Sequence, residues 1–369
     1  MNENIKSASS KKHEPRFHIV KRDQMKWHKA WAIRFVAIVS ALLFSALITV
    51  LLTGVDPIKF FSALVDGAFG TSRRRWLLIY ETSILLCVAL ALTPAFKMRF
   101  WNTGGEGQVL IGGMATAACM ILLGDKLPTP LLFLVMIVAS VAAGAIWAVI
   151  PAFFKAIWNT NETLFTLMMN YIAIQLVGYF CQIWATPKGS GTIGIIPNGQ
   201  FPALFGNQYL LNVIVVVALT AFMFVYLKYS KHGYEISVVG ESENTARYIG
   251  VNVKKVIVRT VALSGAICGM VGLLLVAGTE HSITKNTAGG RGFTAIIVSW
   301  MAKFNPLYMV FSALLIVFMD RGAKQVTTLL KLNDSFSEII TGILILFIIG
   351  CEFFINYKIA SKSHKEDKN

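Results

Sequence analysis

The chain has 369 residues, of which 55% are hydrophobic and 14% are charged, and its mean hydropathy is +0.63. A soluble domain usually has about a quarter of its residues charged, so this chain has too few charges to cover a water-facing surface of that size. The composition excludes an ordinary soluble protein and indicates a chain that lies largely within a membrane.

The formal net charge of +15 is concentrated at the two ends of the chain, outside the apolar runs. Basic residues precede the first apolar run (Lys6, Lys11, Lys12, Arg16, Lys21, Arg22, Lys26, Lys29) and follow the last (Lys358, Lys362, Lys365, Lys368). Such clusters beside membrane spans hold a loop on the cytoplasmic side and attract anionic lipid. We therefore predict cytoplasmic tails at residues 1–30 and 358–369, an even number of crossings, and no nucleic-acid partner.

The segment 31–357 is predicted to be a transmembrane domain. Its strongest apolar runs, such as Ala32–Gly54 and Leu210–Leu227, are long enough to cross about 30 Å of hydrocarbon. In chain order the predicted crossings are Ala32–Gly54, Trp76–Phe96, the stretch from Asn102 to Leu123, Leu131–Phe154, Thr163–Trp184, Leu210–Tyr229, Val256–Gly278, a short hairpin of Phe293–Lys303 and Pro306–Asp320, and Glu338–Tyr357. The predicted fold class is an all-α polytopic membrane protein with about ten (eight to ten) transmembrane helices.

The connections between these crossings have distinct compositions. Asp56–Gly70 is amphipathic and is predicted to lie on the outer surface, while the Gly- and Pro-rich loop 185–207 is predicted to be irregular and external. Arg321–Ser337 is also assigned to the outside, and the polar loop 230–256 to the inside. Arg73–Arg75 then fall outside, against the charge rule.

The first polar stretch at membrane depth runs from Asn102 to Gln108 and surrounds Glu106 with glycines. Unwound backbone at that depth is stable only when it is buried in protein or lines a wet cavity. A carboxylate there is a candidate functional group. The alternative is an interfacial turn in which the glycines allow close helix packing.

The second polar stretch begins at Asn161-Glu162-Thr163 and leads to Asn170. Asn161 or Thr163 is predicted to cap a helix, and Glu162 complements its dipole. Asn170 lies two turns further into the span, where we expect either an inter-helix hydrogen bond or a position facing a pore.

The third polar stretch lies in the inner loop 230–256. Ser242 or Asn244 is predicted to cap a short helix that continues through Tyr248 and ends at Gly250. A helix this short needs packing for stability. The loop is either a simple connector or, given its length among short loops, a functional element.

Signatures of catalysis and metal binding are absent from the sequence. It has no G-x-x-x-x-G-K-[ST], H-E-x-x-H, C-x-x-C or G-x-S-x-G, and the five cysteines are scattered singly in apolar segments, as is typical of core residues. Gly289-Gly290-Arg291-Gly292 could indicate phosphate binding but lacks the strand-turn-helix context. We predict no catalytic residues and no metal site in this chain.

At these same stretches the chain resembles the permease subunit of ABC importers of the ribose, simple-sugar and nucleoside type, and most of all the nucleoside branch. Trp101–Gly112 resembles the family pattern F-N-I-G-x-E-G-Q-L-L-I-G, and Asn161–Ala173 resembles N-E-V-I-x-T-I-M-M-N-Y-I-A. The inner loop matches the element that docks on the ATPase subunits, at Gly233, Gly240, Asn244, Ala246, Tyr248 and Gly250. One late family motif is altered, with Thr294 at its acidic position and Trp300 and Met301 at small ones.

The resemblance implies a subunit of the prokaryotic plasma membrane that pairs with a second permease chain, which we expect to be a different chain. ATP and Mg would be bound by separate ATPase subunits, and an extracytoplasmic binding protein or lipoprotein would deliver a small neutral solute. Asn102, Glu106, Gln108 and Asn170 are predicted to line or shape the translocation path. The predicted coupling residues are Gly240, Glu241, Asn244, Ala246, Tyr248 and Gly250.

Two alternatives remain at this stage. An ion-driven secondary transporter would need carboxylates at membrane depth, for which Glu81 and Glu106 are the candidates, and commonly has two similar halves. The sequence has no evident repeat of one half in the other. A membrane-embedded enzyme would need a clustered catalytic set, which the sequence does not contain.

Overall fold

The structure is a computed structural model that describes residues 17–22, 25–185, 187–333 and 335–361. Most of the residues predicted as basic tails lie outside this described part. The elements are β1 (Phe17–Lys21), α1 (Trp27–Thr53), α2 (Pro57–Phe69), α3 (Ser72–Lys97), α4 (Gly105–Leu123), α5 (Thr129–Trp158), α6 (Glu162–Ile183), α7 (Leu210–Tyr229), α8 (Lys231–Glu241), α9 (Glu243–Tyr248), α10 (Val253–Leu275) with a π-helical end (Val276–Glu280), α11 (Arg291–Met301), α12 (Pro306–Leu330), α13 (Ser335–Asn356) and β2 (Tyr357–Ser361).

Nine of the described helices are long and apolar enough to cross a membrane, namely α1, α3 to α7, α10, α12 and α13. This confirms the predicted polytopic α-helical fold. The remaining predicted crossing, Phe293–Lys303, corresponds to α11, which has only 11 residues and is too short to span a bilayer alone. Asp56–Gly70 forms α2, and the described residues of 185–207 form no helix.

The chain divides into two compact units, of which the first comprises residues 1–63 and 326–369. In this unit α1 packs on α13, and the Arg34 guanidinium contacts the Glu352 carboxylate at 2.6 Å. β1 pairs antiparallel with β2 where only tails were predicted. Since β1 precedes α1 and β2 follows α13, the first and last described segments of the chain lie next to each other. The predicted even number of crossings and the cytoplasmic location of both termini stay predictions.

The second unit comprises residues 64–325, and its centre is a close contact of α4, α5 and α10. Glycines allow the three backbones to touch: a Cβ on Gly144 would lie 2.3 Å from the Gly265 carbonyl oxygen, and one on Gly112 would lie 2.4 Å from the Gly269 Cα. Small residues of this kind are typical of helix contacts in membranes, where close packing replaces the hydrophobic effect as the stabilising force.

The predicted external loop at Arg321–Ser337 is wrong, because α12 continues through Arg321 to Leu330. The Arg321 guanidinium contacts the Glu81 carboxylate of α3, so its charge is compensated within the helix bundle. α3 also begins earlier than predicted, at Ser72 after the cap Thr71. Arg73–Arg75 therefore belong to its first turn.

One of these three arginines is neutralised within the second unit. The Arg74 guanidinium contacts the Asp66 carboxylate of α2 and donates to the Gln325 side-chain oxygen at 3.0 Å. The charge rule counts Lys and Arg and not net charge, so this pairing leaves the conflict between the segment and its predicted outer location in place.

Candidate functional site

The site is centred on an unwound segment between α3 and α4. After α3 ends at Lys97 the chain is not helical again until Gly105. Within this segment Asn102 is fully buried, and its Nδ2 donates to the Ser264 Oγ of α10 at 3.2 Å. Ser264 lies about 16 Å along α10 from Val253, at 1.5 Å per residue. α4 therefore begins deep within the helix bundle.

Asn102 and Gln108 form a closed pair of amides around the start of α4. The Gln108 Nε2 donates to the Asn102 Oδ1 at 3.1 Å, and the same oxygen accepts the Gly104 backbone N–H at 3.0 Å. The Asn102 Nδ2 also lies 3.4 Å from the Gln108 Oε1. A buried polar group is costly unless it is paired, so this pair stabilises the unwound turn in place of water.

Asn170 joins the same turn to α6. Its Oδ1 accepts the Gly107 N–H at 2.8 Å, and its Nδ2 donates to the Thr103 carbonyl oxygen at 2.8 Å. Of the two alternatives for Asn170, the inter-helix hydrogen bond is confirmed, and the side chain is buried. The predicted cap of α6 is confirmed as Asn161, whose Oδ1 accepts the Leu164 N–H at 3.1 Å, and Glu162 contacts Lys155 at 2.9 Å.

Glu106 binds the beginning of α11. Its two carboxylate oxygens accept the Gly290 and Gly292 N–H groups at 2.7 and 2.8 Å. A Cβ on Gly292 would lie 2.4 Å from the Glu106 nitrogen, so the two backbones also touch directly. The glycine run that suggested anion binding does bind an anion, the carboxylate of this chain itself. A helix N-terminus favours negative charge for this purpose.

The four predicted path residues therefore come together in one buried cluster. Asn102, Glu106, Gln108 and Asn170 are each at most 7% exposed, and their polar atoms bind backbone groups, each other or the Ser264 hydroxyl. The cluster ties the deep start of α4 to α6, α10 and α11. Because the four side chains are buried, this geometry favours a role in holding the helices together.

Sequence reasoning missed the partners of this cluster. Ser264 is an ordinary serine in an apolar run, and the Gly290 and Gly292 N–H groups carry no side-chain signal. The altered late motif lies next to the cluster: the Thr294 hydroxyl donates to the Gly290 carbonyl oxygen at 3.2 Å, and the ring of Trp300 lies 5.2 Å from that of Trp101. The large side chain at 300 thus covers part of the unwound segment.

A second feature not foreseen is a charge network among α3, α11 and α12. Glu81 contacts Arg321 through both carboxylate oxygens, and the Arg291 Nη2 lies 4.0 Å from the Glu81 Oε1. All three side chains are mostly buried. The network neutralises Arg321 within the span and holds Arg291 at the N-terminus of α11.

We expect Glu81→Gln to destabilise the protein by about 3–5 kcal/mol, because it leaves the buried Arg321 without a countercharge. The double variant Glu81→Leu/Arg321→Leu should recover most of this loss, since neither charge then remains. Thermal unfolding of the detergent-purified proteins measures the stability of both variants relative to the unaltered protein. A double variant as unstable as Glu81→Gln would contradict the ion-pair explanation.

The predicted coupling residues lie on α8, α9 and the turn that follows. The Ser242 Oγ accepts the Thr245 N–H at 3.2 Å, which confirms Ser242 as the cap of α9. Ala246 is fully buried, against a cluster that includes Met98 and Phe100 of the unwound segment. Glu241, Asn244, Tyr248 and Gly250 are exposed, and Gly250 has a φ of +83° where α9 ends.

Gly240 connects this element to the end of α3. A Cβ added there would lie 2.2 Å from the Lys97 carbonyl oxygen and 3.2 Å from the Met98 Cα. α8 is thus in backbone contact with the residues from which the unwound segment begins. A displacement of α8 cannot occur without a displacement of this segment or a loss of the contact.

An ion pair also joins α8 to α10. The Arg259 Nη2 lies 2.7 Å from the Glu235 Oε2, and this hydrogen bond lowers the pKa of Glu235 below its ordinary value. The carboxylate therefore stays charged at neutral pH and continues to hold α8 on the N-terminal part of α10. Its stabilising contribution would be lost only in acid, as the pH falls through the lowered pKa.

Residues 76–349 match the family described as "Branched-chain amino acid transport system / permease component". The chain is 28% identical to the guanosine ABC transporter permease protein NupP of Bacillus subtilis, over 86% of this chain and 92% of that protein. It is 26% identical to the glucose ABC transporter permease protein TsgB13 of Haloferax volcanii, over 83% of each chain. A second guanosine permease of Bacillus subtilis, NupQ, is 25% identical over 65% of this chain and 78% of its own length.

Proposed function

Because the chain belongs to the permease family of branched-chain amino acid transport systems, and is thus a multi-pass transport subunit of the prokaryotic plasma membrane, we propose that its cargo is a nucleoside taken up by an ABC importer. The similar guanosine permease supports this cargo class. A simple sugar is the second candidate, favoured by the similar glucose permease.

We also propose that α8 couples ATP hydrolysis by partner subunits to transport. The observation that supports this coupling is the contact of Gly240 with Lys97 and Met98. In the proposed cycle, ATP and Mg bind to separate ATPase subunits that grip α9. When these subunits close, α8 moves with α9 and shifts the unwound segment through this backbone contact. The start of α4 then moves relative to α10 and α11, and access to the path alternates between the two sides.

The proposed complex contains a second permease and an extracytoplasmic binding protein. Two different guanosine permeases from one organism both match this chain, which supports a pair of unlike permeases. Predominantly apolar exposed faces, such as those of α1 and α5, suit contact with lipid.

The ion-driven alternative has less support, because it needs a membrane carboxylate that can exchange a proton or cation. Glu106 accepts two backbone N–H groups, and Glu81 is paired with arginine. Uptake by the purified complex in liposomes would distinguish an ATP-driven importer from an ion-driven transporter. ATP-dependent uptake of guanosine that persists with an ionophore supports the proposal, and uptake driven by an ion gradient without any ATPase subunit would contradict it.

Tyr248 is 92% exposed at the end of α9, in which Ala246 is the one buried residue, so Tyr248 is available to a partner and contributes little to this chain's own stability. We expect Tyr248→Asp to leave membrane insertion unchanged and to abolish co-purification of the ATPase subunit, because a charge enters the docking surface. Phe205→Asp is the control: Phe205 is 97% exposed in the loop 185–207, and its replacement should leave ATPase binding intact. Equal ATPase binding by both variants would refute the docking role of Tyr248.

A further inference from the structure

The exposed face of α6 differs from the exposed faces of α5 and α7. Between Leu131 and Ile146 on α5, and between Ile214 and Val225 on α7, every exposed residue is apolar. On α6 the exposed residues include Tyr171, Gln175, Tyr179 and Gln182, which recur at intervals of three or four and thus lie in one row. We call this row the α6 polar face.

The α6 polar face extends through the middle of a membrane-length helix. Gln175 lies about 20 Å from the start of α6, at 1.5 Å per residue, in a helix about 33 Å long. Within the described residues, Gln175 and Gln182 make no side-chain hydrogen bond to the rest of the chain. An amide group that faces lipid at this depth is costly, so Gln175 requires water, a solute or another protein as its partner.

The α6 polar face continues into the irregular segment that leads to α11. The Cys181 Sγ lies 3.3 Å from the Ile283 carbonyl oxygen, and the Lys285 side chain lies directly over Gly178. Gly178 lies between Gln175 and Gln182 on the helix, so the lysine lies between the two amides. The exposed residues of this segment are Thr284, Lys285, Asn286, Gly289 and Gly290.

Exposed irregular backbone next to a polar helix face is the arrangement expected at a wet cavity, not at a lipid contact. We propose that the α6 polar face and the segment 284–290 line the translocation path and contact the solute, and that the solute is a nucleoside. This inference rests on the proposed function. It assigns contact with the solute to the α6 polar face and the segment 284–290, and not to the buried cluster. The buried cluster instead holds this surface in position through Asn170 and Glu106.

The chemistry of the face fits a nucleoside. Tyr171 and Tyr179 are 58% and 59% exposed and present flat rings two helical turns apart, on which a base can stack. Gln175, between them, has an amide that can both donate to and accept from the edge of a base, as amide side chains do with purines. Lys285 is the one cation of this surface and would not repel a neutral solute.

Cysteine labelling of the assembled importer tests this proposal, because all five native cysteines are buried and should react little. Gln175→Cys in membrane vesicles is expected to react with a membrane-impermeant cationic thiol reagent, and guanosine should slow the reaction. Val217→Cys is the control, since Val217 is 64% exposed on the apolar face of α7 and should stay unreactive. A Gln175→Cys protein as unreactive as Val217→Cys would overturn the proposal and indicate a contact with the second permease or lipid.

Uptake kinetics give an independent readout. Tyr179→Leu is expected to raise the KM for guanosine at least about ten-fold through lost stacking, with ATPase binding unchanged. Tyr229→Leu, at the end of α7 and 67% exposed, should leave KM unchanged. An unchanged KM for Tyr179→Leu, or labelling of Gln175→Cys that guanosine does not slow, contradicts the solute contact. If the unaltered importer carries glucose but not guanosine, the proposed nucleoside cargo fails instead.

Discussion

Replacement of Gly240 by Trp is expected to abolish ATP-driven uptake while the protein still inserts into the membrane. Even the Cβ of alanine would lie 2.2 Å from the Lys97 carbonyl oxygen, and backbone atoms on both sides of the contact cannot move aside independently. The larger side chain must push α8 away from the end of α3. Overpacking of a close contact costs about 1–3 kcal/mol, which is enough to displace a short helix but not to unfold nine spans.

The measurement for Gly240→Trp compares ATP hydrolysis with uptake in the assembled importer. Uncoupling predicts continued or unregulated hydrolysis with uptake lost, because the ATPase subunits still bind α9 while α8 no longer moves the unwound segment. Gly194→Ala is the control: Gly194 lies in the loop 185–207 with open space around it, so the variant should behave as the unaltered protein. Normal uptake by Gly240→Trp would rule out transmission through this contact.

The helices themselves were predictable because long apolar runs leave few alternatives in lipid. Short capping motifs were also readable, as Asn161 and Ser242 show, since a cap depends only on residues three positions apart. Arg321 was misassigned because its partner Glu81 is 240 residues away in sequence, and no local pattern indicates that a charge will be neutralised at such a distance.

The candidate site could be predicted only in part, because contacts between residues distant in sequence leave no local pattern. Residue type and location identified Asn102, Glu106, Gln108 and Asn170 as polar groups at depth, and the structure brings all four together. Their partners are mostly backbone N–H and carbonyl groups of other segments, and sequence cannot reveal which of these groups are free. The exposed Gln175 was overlooked because helical periodicity alone does not tell which face of a span another helix will cover.

Glu106→Gln is expected to lower both stability and uptake, because the amide of Gln has one acceptor oxygen where the carboxylate has two. The Gly290 and Gly292 N–H groups each need an acceptor, so one of them would face the amide NH2 of Gln. An unsatisfied buried donor costs about 1–3 kcal/mol, and loss of the anion at the N-terminus of α11 adds to this. A lower midpoint of thermal unfolding is the direct readout.

The control for this variant is Glu243→Gln, which alters an exposed pair with Arg247 on α9 and should leave the unfolding midpoint unchanged. For Glu106→Gln, the stability and the uptake together distinguish a carboxylate that caps α11 from one that exchanges a proton or cation. If Glu106 bound a coupling proton or cation, Glu106→Gln would block uptake and leave stability at or above that of the unaltered protein, because a buried charge would be gone. A structural cap predicts that stability falls together with uptake, since α11 and the α6 polar face are held in position through the same carboxylate and its neighbours.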